Sequence, residues 1–304
     1  MTPGGLLSML WAEPRSRAGL FVVALFVFVA SLGPSLMRDP TAFDATPHQP
    51  PSWEHPLGTT GQGQDVFAQT VAGARMTLLV GFATGFLVVA LGALIGGAAG
   101  YFGGRVDDAL SLLINVFLVM PGLPLMVVLA AWLPPGPVTL LVVLVLTGWA
   151  WNARVLRAQA LALAQRDFVL AAKVSGESDL RIVTLEVLPN MLSLLASAFI
   201  GATIYAIGAQ VGLEFLGLGD ISEVTWGTNL YWASNDSALL LGSWWTFVPT
   251  GVCIALVGFG LVLVNFGVDE IANPRLATEA RWIRKLGKRA AADGSTPVVR
   301  GGVS

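Results

Sequence analysis

Few residues in this chain are equipped for bond-making chemistry. The two histidines, His48 and His55, share a Pro-rich loop without metal-ligand spacing, and the single cysteine, Cys253, sits in an apolar run. No nucleophile–base constellation is apparent, and Gly-x4-Gly-Lys-Ser/Thr occurs nowhere, so the polypeptide is not expected to bind ATP. Gly96-Gly97-Ala98-Ala99-Gly100 follows no strand and is not read as a phosphate loop. No catalytic residue and no metal ligand is therefore nominated. What stands out is mechanical: a polar stretch containing Ala171-Ala172, then Gly176, then Glu186-Val187-Leu188-Pro189, with Arg166, Lys173 and Arg181 around it. The pattern predicts a short helix over 166–175, a break at Gly176 and a second helix over 178–186, with Ser178 or Asp179 available to cap its start. Phe168, Ala172 and Ser175 fall on one face of the first helix. Small Ala171 and Ala172 permit close approach of a partner surface, and Gly176 permits a turn that a residue with a β-carbon resists. Such a loop suits docking of another protein; the alternative is a solvated connection between helices.

The elements that position this loop are apolar. The chain is 55% apolar and 12% charged, about half the charged fraction of a globular protein. A net charge of −2 gives no sign of nucleic-acid binding. Six runs of spanning length are predicted at 20–37, 76–102, 109–132, 138–153, 191–213 and 244–268, since ~20 helical residues cross the hydrocarbon core. The first, preceded by Arg15 and Arg17, also has the look of a secretory signal, but it is long for that role and no clear cleavage site follows, so it is read as an uncleaved anchor. Six crossings put both termini on one side. With that side cytoplasmic, it holds fifteen of the 17 basic residues and leaves only Arg38 and Arg75 opposite, as the positive-inside rule demands.

Gly92, Gly96, Gly100 and Gly104 recur every fourth residue, with Gly81 and Gly85 starting a second row. On a helix this forms a smooth stripe for close packing of a neighbour. Pro121-Gly122-Leu123-Pro124 interrupts the third run; it either lines a pathway or bends a helix around its neighbours. No run carries a His, a Lys or a mid-membrane carboxylate, Glu214 and Asp269-Glu270 lying at run ends. A secondary transporter, which usually needs buried carboxylates for its coupling ion, is disfavoured without being excluded. Trp226, Tyr231, Trp232, Trp244 and Trp245 cluster in the last outer loop, as an interfacial belt or as stacking faces for sugars.

The loop resembles the "EAA" loop of ATP-binding-cassette importer permeases, with Ala171, Ala172, Gly176, Leu188 and Pro189 on matching positions. Leu170 stands where that family usually has Glu, and Glu186 where it often has Ile. More of the chain resembles the dipeptide/oligopeptide permease family, in particular its "C" type subunit. His55-Pro56-Leu57-Gly58-Thr59, continuing to Asp65-Val66, is similar to HPLGTDxxGRDV, with Gln64 for the usual Arg. Gly73-Ala74-Arg75 resembles GARxSL, Gly100-Tyr101-Phe102-Gly103-Gly104-Arg105-Val106-Asp107 resembles AGYxGGxVD, and Leu188-Pro189-Asn190 matches LPN. Glu214-Phe215-Leu216-Gly217-Leu218-Gly219 with Trp226-Gly227 is a shortened ExxLSFLGLG…WG, and Asn273-Pro274-Arg275-Leu276 closes like DPRL.

The resemblance implies an all-α, polytopic membrane protein with six transmembrane helices and the permease fold of binding-protein-dependent ABC importers. It divides the chain into a cytoplasmic N-terminal segment at 1–18, a permease domain at 19–271 with a coupling loop at 154–190, and a flexible basic tail at 272–304. The implied setting is the bacterial cytoplasmic membrane, multi-pass, with both termini cytoplasmic. Implied partners are a homologous second permease, two ATP-binding-cassette ATPases that hold ATP and Mg, and an extracytoplasmic substrate-binding protein; no cofactor is bound by this chain. ATPase-coupling residues would be Phe168, Ala171, Ala172, Lys173, Ser175, Gly176, Leu188 and Pro189. A gate or binding-protein contact would involve Asp65, Glu214, Gly217, Gly219 and Trp226. The expected cargo is di- or oligopeptide, with oligosaccharide as the alternative.

Overall fold

The computed structural model describes residues 11 and 13–272. The expected tail after Ala272 and most of the N-terminal segment before Glu13 lie outside them. Among the described residues the chain is helices and loops, with one isolated bridge pairing Thr59 and Asp65. Its helices are α1 Pro14–Leu36, α2 Val66–Phe102, α3 Gly104–Val119, α4 Gly122–Trp132, α5 Pro137–Ala164, α6 Asp167–Val174, α7 Asp179–Ile182, α8 Leu192–Phe215, α9 Trp226–Asn235 and α10 Val248–Ala272.

Five apolar helices are long enough to cross a membrane, and the bent pair α3–α4 makes a sixth if taken as one span. These are the six runs read from sequence, with different ends. At ~1.5 Å per residue, the 37-residue α2 is about 55 Å long, more than a ~30 Å hydrocarbon layer takes up. α5 likewise continues from 153 to Ala164, carrying Arg154 and Arg157 as helical residues instead of loop residues. The Pro121 break is an 84° bend between α3 and α4. Met120 and Pro121 are both extended, and Pro121 has no amide hydrogen with which to continue the ladder. Both arms are peripheral, burying only Ile114 on α3 and Met126 and Ala130 on α4.

The central rod is α2, packed against α1, α5 and α8. Its two glycine rows grip different neighbours. A β-carbon at Gly92, Gly96 or Gly100 would meet the backbone of Asn152, Ala153 and Arg157 on α5, whereas one at Gly81 or Gly85 would strike Ile207 or Thr203 on α8. Gly104 does not belong to the row expected for it. α2 stops at Phe102; Gly103 and Gly104 both have positive φ, and Gly104, with open space around it, starts α3.

Candidate functional site

Two regions collect the motif residues, at opposite ends of α2. The first is the basic end, where the chain between α5 and α8 folds back on the bundle. Val169, Ile182 and Val187 are buried with Leu156 and Ala160 of α5 and Tyr101 of α2. Three apolar side chains seated in a helical core hold this element against the bundle. Ala172, expected on one face with Phe168 and Ser175, is half-buried and packs toward this core, because it sits three residues from Val169 on the same face of α6. Phe168, Ala171, Lys173, Val174 and Ser175 are exposed, as is Leu180 beyond the elbow; Val174 is 90% accessible.

Gly176 forms the elbow at φ +78. Its amide donates to the Lys173 carbonyl at 3.1 Å and the Glu177 amide to the Ala172 carbonyl at 3.1 Å. This is the Schellman cap, which satisfies the last carbonyls of α6 and requires a left-handed residue. α7 follows as a single turn. Ser178 stands at its cap position without a side-chain cap bond, and Asp179 instead accepts the Tyr101 hydroxyl at 2.7 Å. The predicted helix over 178–186 passes into a π-helical turn at Val183–Val187. Pro189 supplies the reason: it has no amide for the carbonyl of Leu185, so the turn before it widens. Leu188 and Pro189 are half-buried, returning the chain to α8. Arg181 pairs with Glu177 at 3.3 Å one turn back, just past the elbow.

The second region is the opposite rim. Asp65 caps α2, accepting the Ala68 amide at 2.8 Å, and its other oxygen meets His55 Nδ1 at 2.8 Å. Gln64, in place of the resemblance's Arg, accepts the Gln69 side-chain amide at 2.7 Å. α9 is stapled to α2: the Trp226 amide donates to the Thr77 hydroxyl at 3.0 Å, its indole N–H to the Thr70 carbonyl at 2.9 Å, and the Asn229 side chain to the Gln69 carbonyl. Glu214, at the end of α8, accepts the Thr225 hydroxyl at 2.6 Å and the Gln210 amide at 3.0 Å. Gly219 and Gly227 make room for it, since a β-carbon at either would press on its side chain. Gly217 ends α8 with the same cap as Gly176, at φ +77, beneath the Tyr231 ring.

This geometry bears on the binding-protein half of the expectation for three rim residues and leaves open the gate half. Asp65, Glu214 and Trp226 are 8%, 3% and 0% exposed, so none offers its side chain to a docking protein. They hold the rim loops to α2 and α8. Trp226 is also removed from the aromatic belt: it packs with Ala74, Leu78 and Ile207, its ring edge-on to Phe26 at 5.9 Å. Trp245 is half-buried and donates to the Thr59 carbonyl at 3.1 Å, which leaves Trp244 as the exposed tryptophan of this segment.

Sequence reasoning missed the inward anchors Val169, Ile182 and Val187, and the links Tyr101–Asp179 and Asp107–Arg157. Apolar residues spaced within a polar loop carried the signal for the first three. For the two links only the motif around Gly100 hinted at them.

A family model described as binding-protein-dependent transport system inner membrane component matches residues 89–278. Over 266 residues the chain is 33% identical to the dipeptide transport system permease protein DppC of Bacillus subtilis (strain 168), covering 86% of this chain and 82% of that protein. It is 30% identical over 265 residues to the oligopeptide transport system permease protein OppC of the same organism, 86% of each being covered. With OppC of Mycobacterium tuberculosis (strain ATCC 25618 / H37Rv) it shares 32% identity over 279 residues, covering 89% of this chain and 94% of that one.

Proposed function

The chain belongs to the family of binding-protein-dependent transport system inner membrane components, and from that premise we propose that it is one permease subunit of an ATP-driven importer of di- or oligopeptides. It forms half of the translocation pathway with a homologous second permease. Two ATP-binding-cassette ATPases, which hold ATP and Mg, dock on the cytoplasmic side, and an extracytoplasmic binding protein delivers cargo to the other. The chain itself hydrolyses nothing. It lies in the bacterial cytoplasmic membrane with both termini and the 167–190 loop inside, which the distribution of basic residues supports. The names of the relatives support peptide cargo, and the burial of Trp226 removes one ring from any sugar-stacking surface.

One observation carries the coupling assignment: the loop is anchored from within and apolar on its outer side. Val169 and Ile182 are fully buried, while Val174 and Leu180, flanking the Gly176 elbow, face solvent. A solvated connection needs neither the anchors nor exposed apolar residues at its tip, whereas a rigid knuckle entering a cleft needs both. The test is a Val174→Cys substitution in a Cys253→Ala background. In the assembled complex it should cross-link to the ATPase with a short bifunctional thiol reagent. Absence of cross-linking from Val174→Cys and from Leu180→Cys, in a complex that hydrolyses ATP, overturns the docking assignment.

A further inference from the structure

Tyr101 of α2 touches both halves of the elbow. It is 5% exposed and sits in the last turn of that helix, among Leu156, Ala160, Val169 and Ile182. Its hydroxyl donates to Asp179, the first residue of α7, at 2.7 Å. Lys173, in the last turn of α6, lays its ammonium 4.6 Å from the centre of the same ring. A cation over an aromatic face and a hydroxyl bonded to a carboxylate are two independent attractions, one on each side of Gly176. α7 is the opening turn of a helical run that continues through the π-helical turn at Val183–Val187, and Ser178 gives that opening turn no side-chain cap. Its place is set by Ile182 in the core and by Asp179 on Tyr101.

The other end of α2 is fixed just as firmly, by the Asp65 cap and by Trp226 bonded to Thr70 and Thr77. α2 is therefore one unbroken helix between the rim that surrounds Glu214 and the elbow at Gly176. We propose that Tyr101 is a positioning residue for energy coupling, through which displacement of α2 is delivered to α6 and α7 together, so that they move as one body. This rests on the coupling role proposed above for the 167–190 loop.

Removing only the hydroxyl separates the two attractions. In the purified complex of the two permeases with their ATPases, Tyr101→Phe keeps the ring under Lys173 and frees Asp179. Assembly and basal ATP hydrolysis should stay at wild-type levels, while stimulation by the cargo-loaded binding protein should fall roughly fivefold or more, the lower end of typical coupling between sites. Asp179→Ala should show the same split, and the double variant should be no worse than either single one. Amides 177–182 should exchange faster with deuterium while those of α2 are unchanged. If Tyr101→Phe keeps full stimulation while Gly176→Val abolishes it, the Tyr101 role is overturned and the coupling loop stands. Full stimulation in both variants removes the coupling loop itself, and Tyr101 with it.

Discussion

Arg157 and Asp107 meet as a two-pronged pair, Nη2 to Oδ2 at 2.6 Å and Nε to Oδ1 at 2.5 Å, although 50 residues separate them in sequence. The Ser111 hydroxyl donates to the same carboxylate at 2.9 Å. This ties the first turn of α3 to α5 at the end of the glycine row. The fork geometry suits a guanidinium and not an ammonium. Asp107→Ala should destabilise the purified protein by about 1.5–3 kcal/mol, the worth of hydrogen bonds to charged groups, and Arg157→Lys should recover little of it. Thermal unfolding in detergent reads both, and equal midpoints for wild type and Asp107→Ala would refute the pairing as a structural tie.

Glu214 is enclosed by glycines, and Gly227 leaves the least room. A β-carbon there lands on the Glu214 carboxylate and on the backbone of Val211. Gly227→Ala should cost about 1–3 kcal/mol, as overpacking usually does, and lower the amount of protein in the membrane. Gly208→Ala, on the same helix as Glu214 but with nothing within 4 Å, should behave as wild type. Equal accumulation of the two variants runs against the packing described.

Gly176 makes a different demand. Its β-carbon position is empty, yet φ is +78, so backbone geometry and not space excludes other residues. Gly176→Asn should keep transport, because Asn tolerates the left-handed region. Gly176→Val should lose it at normal membrane levels, with a cost of about 1–3 kcal/mol in holding the elbow. Equal uptake by the Val and Asn variants contradicts this.

At the rim, burial pushes the Asp236 carboxyl up, opposed by His48 nearby. A carboxylate whose folded pKa is raised favours the folded rim when protonated, and that contribution is lost as pH rises from the unfolded value through the folded one. Asp236→Asn should therefore raise the thermal midpoint slightly at pH 7, and the gain should shrink as pH falls toward 4. A gain that grows on acidification has the wrong sign for this account.

The spans, the glycine rows and the Gly176 elbow were legible in the sequence because each is a local pattern: an apolar run, an i+4 spacing, a glycine between two helical stretches. Gly104 was misread because the four-residue spacing outlives the helix, which stops two residues earlier at Phe102. Trp226 read as a belt residue because its partners, Thr70 and Thr77, lie about 150 positions away. Asp179 read as a cap for the same reason: nothing within its own loop announces Tyr101. The break in the ladder before Pro189 was implicit in that proline, but the π-helical turn that answers it, with Val187 seated in the core, was not.

The central claim is that ATP hydrolysed by partner subunits drives transport through this chain. The direct measurement is uptake of a labelled peptide into proteoliposomes holding the chain, its partner permease and their ATPases. The binding protein is supplied outside and ATP sealed inside. Uptake should require ATP, persist when ionophores collapse every ion gradient, and vanish with Gly176→Val. Uptake that proceeds without ATP and collapses with an ion gradient would contradict the account.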